Sequence, residues 1–189
     1  MRNMALALCL AALASGTCAG FDEIAELDQA KKATAAFAGA LKSELVSAMQ
    51  SGGAIEAIEV CNTRTVAVSE NVSAKNNMNL SRVSLKNRNP GSAPNGWQTE
   101  VLHSLEARYK AGESPGELTW HEVANTDNGQ EFRFMKAIPT GVLCLQCHGE
   151  NIAPTVAIKL AELYPKDKAT GYREGDIRGA FVVTYQLDQ

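Results

Sequence analysis

The 189-residue sequence has no excess of basic charge: 18 Lys and Arg stand against 21 Asp and Glu, a formal net charge of -3. No long Lys/Arg run occurs either, so the field that holds a phosphate backbone is missing and nucleic acid is not an expected partner. Long apolar runs are lacking too. The one near the start, Ala5 to Ala14, falls short of the roughly 20 residues of a spanning helix, so no membrane span is expected in the mature chain. Internal repeats and low-complexity tracts are absent, which excludes solenoid and fibrous architectures. Cysteine is sparse, with five in the chain. Cys9 and Cys18 lie near the start, Cys144 and Cys147 sit three residues apart, and Cys61 stands alone.

What is present is the composition of one globular domain, 45% hydrophobic and 21% charged. Arg2, the apolar run and the small residues Thr17 and Ala19 read as an export signal over 1–19, leaving residues 20–189 as the domain and the periplasm as the expected location. A lipid on Cys18 is the alternative reading, but Ser15, Gly16 and Thr17 make a poor lead for it.

Ile24, Leu27, Phe37, Leu41, Leu45 and Met49 recur at helical spacing, and Gly52-Gly53 ends the pattern. A second helix follows from Ala54 to about Ser73. Its stripe of Ala54, Ile58, Cys61, Thr65, Val68 and Val72 turns Cys61 inward. Leu80 to Lys86 is compatible with a strand, Asn89-Pro90-Gly91 breaks the chain, and Pro94 and Trp97 open a helix reaching Tyr109. Leu118 to Ala124 and Gln130 to Ile138 read as paired strands, with Asp127-Asn128-Gly129 as their turn. A short helix runs from Pro154 to Pro165. The last segment alternates, with Ile177, Gly179, Phe181, Val183, Tyr185 and Leu187 on one side and Arg178, Ala180, Val182, Thr184 and Gln186 on the other. The pattern is α+β with an antiparallel sheet.

Cys144-Leu145-Gln146-Cys147-His148 carries the chemistry. Covalent haem attachment needs two thiols one helical turn apart and an imidazole directly after them, and all three are here in order. One motif implies one haem c. A zinc site would need further ligands at regular spacing, and a thioredoxin-like pair would follow the first strand of a βαβ unit; neither context exists. For the second axial position Cys61 ranks first on cysteine counting, with His103, His121, Met49, Met78 and Met135 as the other candidates.

Ala57-Ile58-Glu59-Val60-Cys61, Val83 to Pro90, Cys144 to Gly149, Tyr164 to Tyr172 and Gly175 to Gly179 together resemble a family of haem-binding domains. It was long described as a domain of unknown function. Its members are single-haem c-type cytochromes with a PAS-like sheet flanked by helices, and related domains form the sensing part of chemotaxis receptors and histidine kinases. The resemblance implies that Cys61 is the distal ligand opposite His148.

Such His/Cys coordination is expected to favour oxidised haem and to place the potential below that of a His/Met cytochrome. Loss of Cys61 on reduction would open a place for a diatomic gas, NO or CO. Two functions follow: a redox or gas-sensing module reporting to an unidentified protein partner, or a low-potential electron carrier. Enzymatic turnover is not expected, since nothing resembles a peroxidase's acid/base pair. Arg82, Lys86, Arg88, Arg133 and Arg173 are the candidate partners of the haem propionates, and Tyr172 and Trp97 are candidate pocket walls.

Overall fold

The computed structural model describes residues 22–187; the expected export signal over 1–19 and the alternative lipid site at Cys18 lie outside them. Asp22 caps the first helix, its carboxylate accepting from the backbone N–H groups of Ile24 and Ala25. That helix, α1, is assigned over Glu23–Asn76, but Gly53 breaks it with φ 69° and ψ -156°. The chain therefore folds back into a hairpin whose arms are residues 23–52 and 54–76. Arg64 of the second arm reaches Glu44 of the first at 3.3 Å. The two helices expected from sequence are thus the two arms, and the reversal falls at the expected glycines.

Only glycine occupies that backbone region without strain, which costs other residues about 1–3 kcal/mol. Gly53→Ala is expected to lower unfolding stability by about that amount, read as a lower urea midpoint at unchanged slope. An unmoved midpoint would mean the reversal can form elsewhere.

Four strands follow: β1 (Asn79–Val83), β2 (Thr119–Thr126), β3 (Gly129–Pro139) and β4 (Ile177–Gln186). They pair antiparallel throughout in the order β1-β4-β3-β2. α2 (Gly96–Lys110) begins with a reciprocal Asn95/Gln98 capping box. α4 (Pro154–Leu163) carries its proline in the first turn.

The sheet is covered on both faces. On one, Ala30, Ala33, Phe37 and Val72 of the α1 hairpin pack against Leu80, Phe132, Phe134 and Val183. On the other, Val101, Leu102 and Leu105 of α2 pack against Met135, Ala137, Ala180 and Val182. The architecture is α+β, an antiparallel sheet between helices with long helices at the front, as expected.

The terminal strand departs from simple alternation. Ile177 lies in the same cluster as Ala180 and Val182, so the two-residue period slips between them. The slip is at Gly179, φ 151°, where a Cβ would stand 2.3 Å from the Val83 carbonyl oxygen. Arg178 consequently shares a side with Phe181, toward the α1 hairpin, and not with Ala180.

Candidate functional site

The CxxCH segment leaves β3 through a pinned turn: Thr140 donates to the Asp176 carbonyl and receives from Gly175 N–H, both at 2.8 Å. A 3-10 turn, Val142–Cys144, then runs directly into α3, Leu145–His148. Cys144 itself has helical φ and ψ, so the two thiols stand three residues, just under one helical turn, apart. Gly149 closes it. Its N–H bonds the Leu145 carbonyl at 2.9 Å, and a Cβ there would approach that oxygen to 2.6 Å. The absence of a side chain at this position is what lets the turn end so tightly.

His148 is held from behind. Its Nδ1 donates to the Ala169 carbonyl at 2.8 Å, which leaves Nε2 without a protein partner among the described residues. Tyr172 N–H bonds the His148 carbonyl, and Gly171 N–H that of Gly149, both at 3.0 Å. The Tyr172 ring meets the imidazole edge-on at 6.4 Å. Desolvation, reinforced by the charges of Arg178 and Arg88, drives the His148 pKa down to about 3. The Ala169 bond opposes this and is outweighed. His148 is therefore neutral at ordinary pH, the form that has a lone pair for a metal.

Arg88 fastens the segment to the loop after α4. Its Nε bonds Asp167 at 2.9 Å, and its Nη2 donates to the carbonyls of Cys147 and Ala169. Both members of this ion pair are largely shielded, with side chains 14% and 12% exposed. Asp167 also accepts from Ala169 N–H at 2.7 Å, so one carboxylate and one guanidinium together set the carbonyl that orients His148.

The second arm of α1 crosses the same region. Ile58 packs with Val156, Leu160 and Tyr164, and Cys147 packs against that cluster. Glu59 pairs with Lys159 of α4 at 2.7 Å, and Asn62 and Tyr164 line one pocket with Arg88. Cys61 lies between these contacts, close enough to Cys147 that a charge on it raises the Cys147 pKa.

Its setting corrects the inward-facing expectation: Cys61 is reached by solvent. Surrounding protein nonetheless desolvates the thiol, which raises its pKa, while Arg82, Arg178 and Arg88 pull it back down. Cys61 is thus reached by solvent from one side and shielded by protein on the other.

The other candidates disperse. Met78 and Met135 are buried in the two sheet cores, His103 is exposed on α2, and His121 pairs with Glu23 at 2.8 Å. Met49 is half-buried on the first arm of α1. Trp97 stacks on Trp120 under α2, on the far face of the sheet, so it walls no pocket beside His148.

The cations need similar correction. Arg133 is paired with Glu122 and Glu131, Arg173 with Glu150, and Arg88 with Asp167. Lys86 donates to the Thr170 carbonyl and lies 4.4 Å over the Tyr172 ring. Arg82, whose charge reaches Cys61 and His148, has no ion-pair partner among the described residues. Arg178, which sequence reading missed, joins it there. Among the described residues no group of three or more His, Cys, Asp or Glu is placed to hold a metal ion.

Comparison with curated proteins finds no match. Among solved structures, the crystal structure of the cyanobacterial heme-protein Tll0287 is similar, with a TM-score of 0.61 and 22% identity over 87% of this chain and 94% of that one. At that identity the likeness speaks for the fold. The model of the Tll0287-like family matches residues 22–185, which spans both Cys61 and the CxxCH segment. The chain belongs to the Tll0287-like family.

Proposed function

We propose that this chain binds one haem c, through thioether bonds from Cys144 and Cys147, with His148 and Cys61 as axial ligands. The observation that carries the reading is convergence: the second arm of α1 brings Cys61 close enough to Cys147 for its charge to be felt, in the turn that ends in His148, whose Nε2 has no protein partner among the described residues. The donor set suits a haem, with two adjacent thiols, a neutral imidazole of defined tautomer and a thiol on a separate element. Val142 and Leu143, directly before Cys144, add exposed apolar surface that a porphyrin edge would cover. The similar solved structure is of a heme-protein, which supports the same reading.

When bound, the haem supplies one-electron redox chemistry and, if a ligand leaves, a coordination position for a diatomic gas. The chain's own residues do the rest. Ala169 fixes the His148 ring, Arg88 and Asp167 fix Ala169, and Cys61 offers a thiolate once it gives up its proton.

Cys61 is solvent-accessible and sits on an arm hinged at Gly53, so little packing opposes its release. That favours an extracytoplasmic redox or gas-sensing module, without catalytic turnover, over a plain electron carrier. Export through the signal over 1–19 belongs to the same proposal, because covalent haem attachment is an extracytoplasmic process.

The test is expression with a cytochrome maturation system. The purified protein is expected to keep its colour through acidified acetone and to show one haem per chain by pyridine haemochrome. Cys144→Ser/Cys147→Ser is expected to lose the retained pigment. A colourless wild type, or one whose pigment extracts, refutes the proposal.

A further inference from the structure

Seven arginines lie among the described residues, and five of them, Arg64, Arg88, Arg108, Arg133 and Arg173, have a carboxylate within ion-pair distance. Arg82 and Arg178 have none. They stand on neighbouring strands β1 and β4, which pair with Arg82 opposite Phe181. Each is close enough to the other for its charge to be felt. Arg178 Nε is buried and has no hydrogen-bond partner. The charges of both reach Cys61 and His148.

Two adjacent like charges without counter-ions, one of them with a buried nitrogen donor left unbonded, are a costly arrangement, because a buried donor without a partner loses its hydration and receives nothing in exchange. The chain also goes out of its way to make it. Without the slip at Gly179, alternation would turn Arg178 to the α2 face; the slip depends on a glycine at φ 151° pressed against the Val83 carbonyl. In the holoprotein the Cys61 thiolate would be matched by the positive charge of the ferric porphyrin core, and Arg88 is already neutralised by Asp167. The charges of Arg82 and Arg178 are therefore left over, with guanidinium donors in the planar fork that matches a carboxylate.

We propose that Arg82 and Arg178 form the anion seat of the haem cleft and that the anion they hold is a propionate carboxylate of the haem. This rests on the haem reading above. Arg178 supplies the otherwise orphaned donor, and Arg82 supplies the second charge and orients toward both the carboxylate and the Cys61 sulfur.

The experiment uses the holoprotein and Arg82→Gln, Arg178→Gln and the double variant, with Arg178→Lys keeping the charge but not the fork. Pyridine haemochrome first confirms attachment in each. Resonance Raman then reads the propionate bending band, EPR reads the axial thiolate, and a redox titration against pH reads the propionate ionisation. The expected result is a shifted propionate band in Arg178→Gln and the double variant. The pH inflection of the potential is expected to move up by about one unit or more, with the thiolate EPR signature retained. Arg178→Lys is expected to fold and to shift the band less. An unmoved band in every variant that folds overturns the proposal, including the case where only the thiolate signature changes, since the pair would then serve Cys61 alone. A wild type without attached haem overturns both this proposal and the one it rests on.

Discussion

Cys61→Ala is expected to abolish the thiolate-type low-spin EPR signal of the oxidised protein and to raise its reduction potential. The rise is expected to be on the order of 100 mV, a modest share of the roughly 0.8 V over which axial ligands tune haem potentials. A thiolate donates more electron density to the oxidised metal than to the reduced one, so its removal favours reduction. The reduced variant is also expected to bind CO faster, because no side chain competes for the position. These changes will not be confounded by unfolding. Cys61 is solvent-accessible, and the substitution leaves the Ile58 and Tyr164 packing on either side of it intact. The stability change is expected to be within about 0.5 kcal/mol, as for surface substitutions generally. Desolvation raises the Cys61 pKa, so the free thiol is protonated and ligation must release a proton. Acidification is therefore expected to weaken the bond in the wild type and to leave the variant's spectrum unaffected. An unchanged low-spin signal in Cys61→Ala would eliminate Cys61 as the distal ligand.

The second large effect is expected at Arg88, a residue that touches neither thiol. Arg88→Ala leaves the Asp167 carboxylate buried without its partner and strips donors from the Cys147 and Ala169 carbonyls. Removing one member of a buried pair costs about 3–5 kcal/mol, most of it the penalty of the orphaned charge. That penalty makes a sharp check. Asp167→Asn in the Arg88→Ala background removes the orphaned charge and is expected to recover a good part of the loss. The double variant should therefore be more stable than Arg88→Ala alone in urea unfolding. A loss below about 1 kcal/mol in Arg88→Ala would mean the pair is worth no more than an exposed one and that Ala169 is held by other contacts. A haem-loaded sample carries a second readout. With Ala169 free to move, His148 loses its fixed tautomer, and the axial ligand band should broaden although every ligand is still present.

These residues also separate what local pattern could reveal from what it could not. The hairpin reversal was legible because Gly52-Gly53 interrupts a strong helical period, and the β2-β3 turn was legible because Asp127-Asn128-Gly129 has the backbone chemistry of a tight turn. Arg178 was misassigned for an equally physical reason. Strict alternation assumes an unbroken strand, and the slip at Gly179 comes from its close approach to Val83, a neighbour nearly a hundred residues earlier in the chain. Arg88 looked like any basic residue near a proline turn. Its partner Asp167 lies in a loop after α4, and nothing in either segment alone says they meet. Cys61 was correctly placed on its helix, yet its exposure depends on the cleft beside it, which no helical wheel contains.

By itself, then, the amino-acid order determined the CxxCH turn. Two thiols and an imidazole within five consecutive residues converge as soon as one helical turn forms, and that needs no long-range contact. It also determined the element types, because apolar periods of 3.6 and 2 are local properties. Only the tertiary structure decided the rest: that Cys61 comes near Cys147, that Arg88 is committed to Asp167, and that Arg82 and Arg178 are left together without an ion-pair partner among the described residues. Those residues sit on separate elements, and they are brought into one cleft by the fold-back at Gly53 and the packing of Ile58 against Leu160 and Tyr164. Such contacts arise from burial of apolar surface between distant segments, an energy that belongs to pairs of elements and is written in neither one alone.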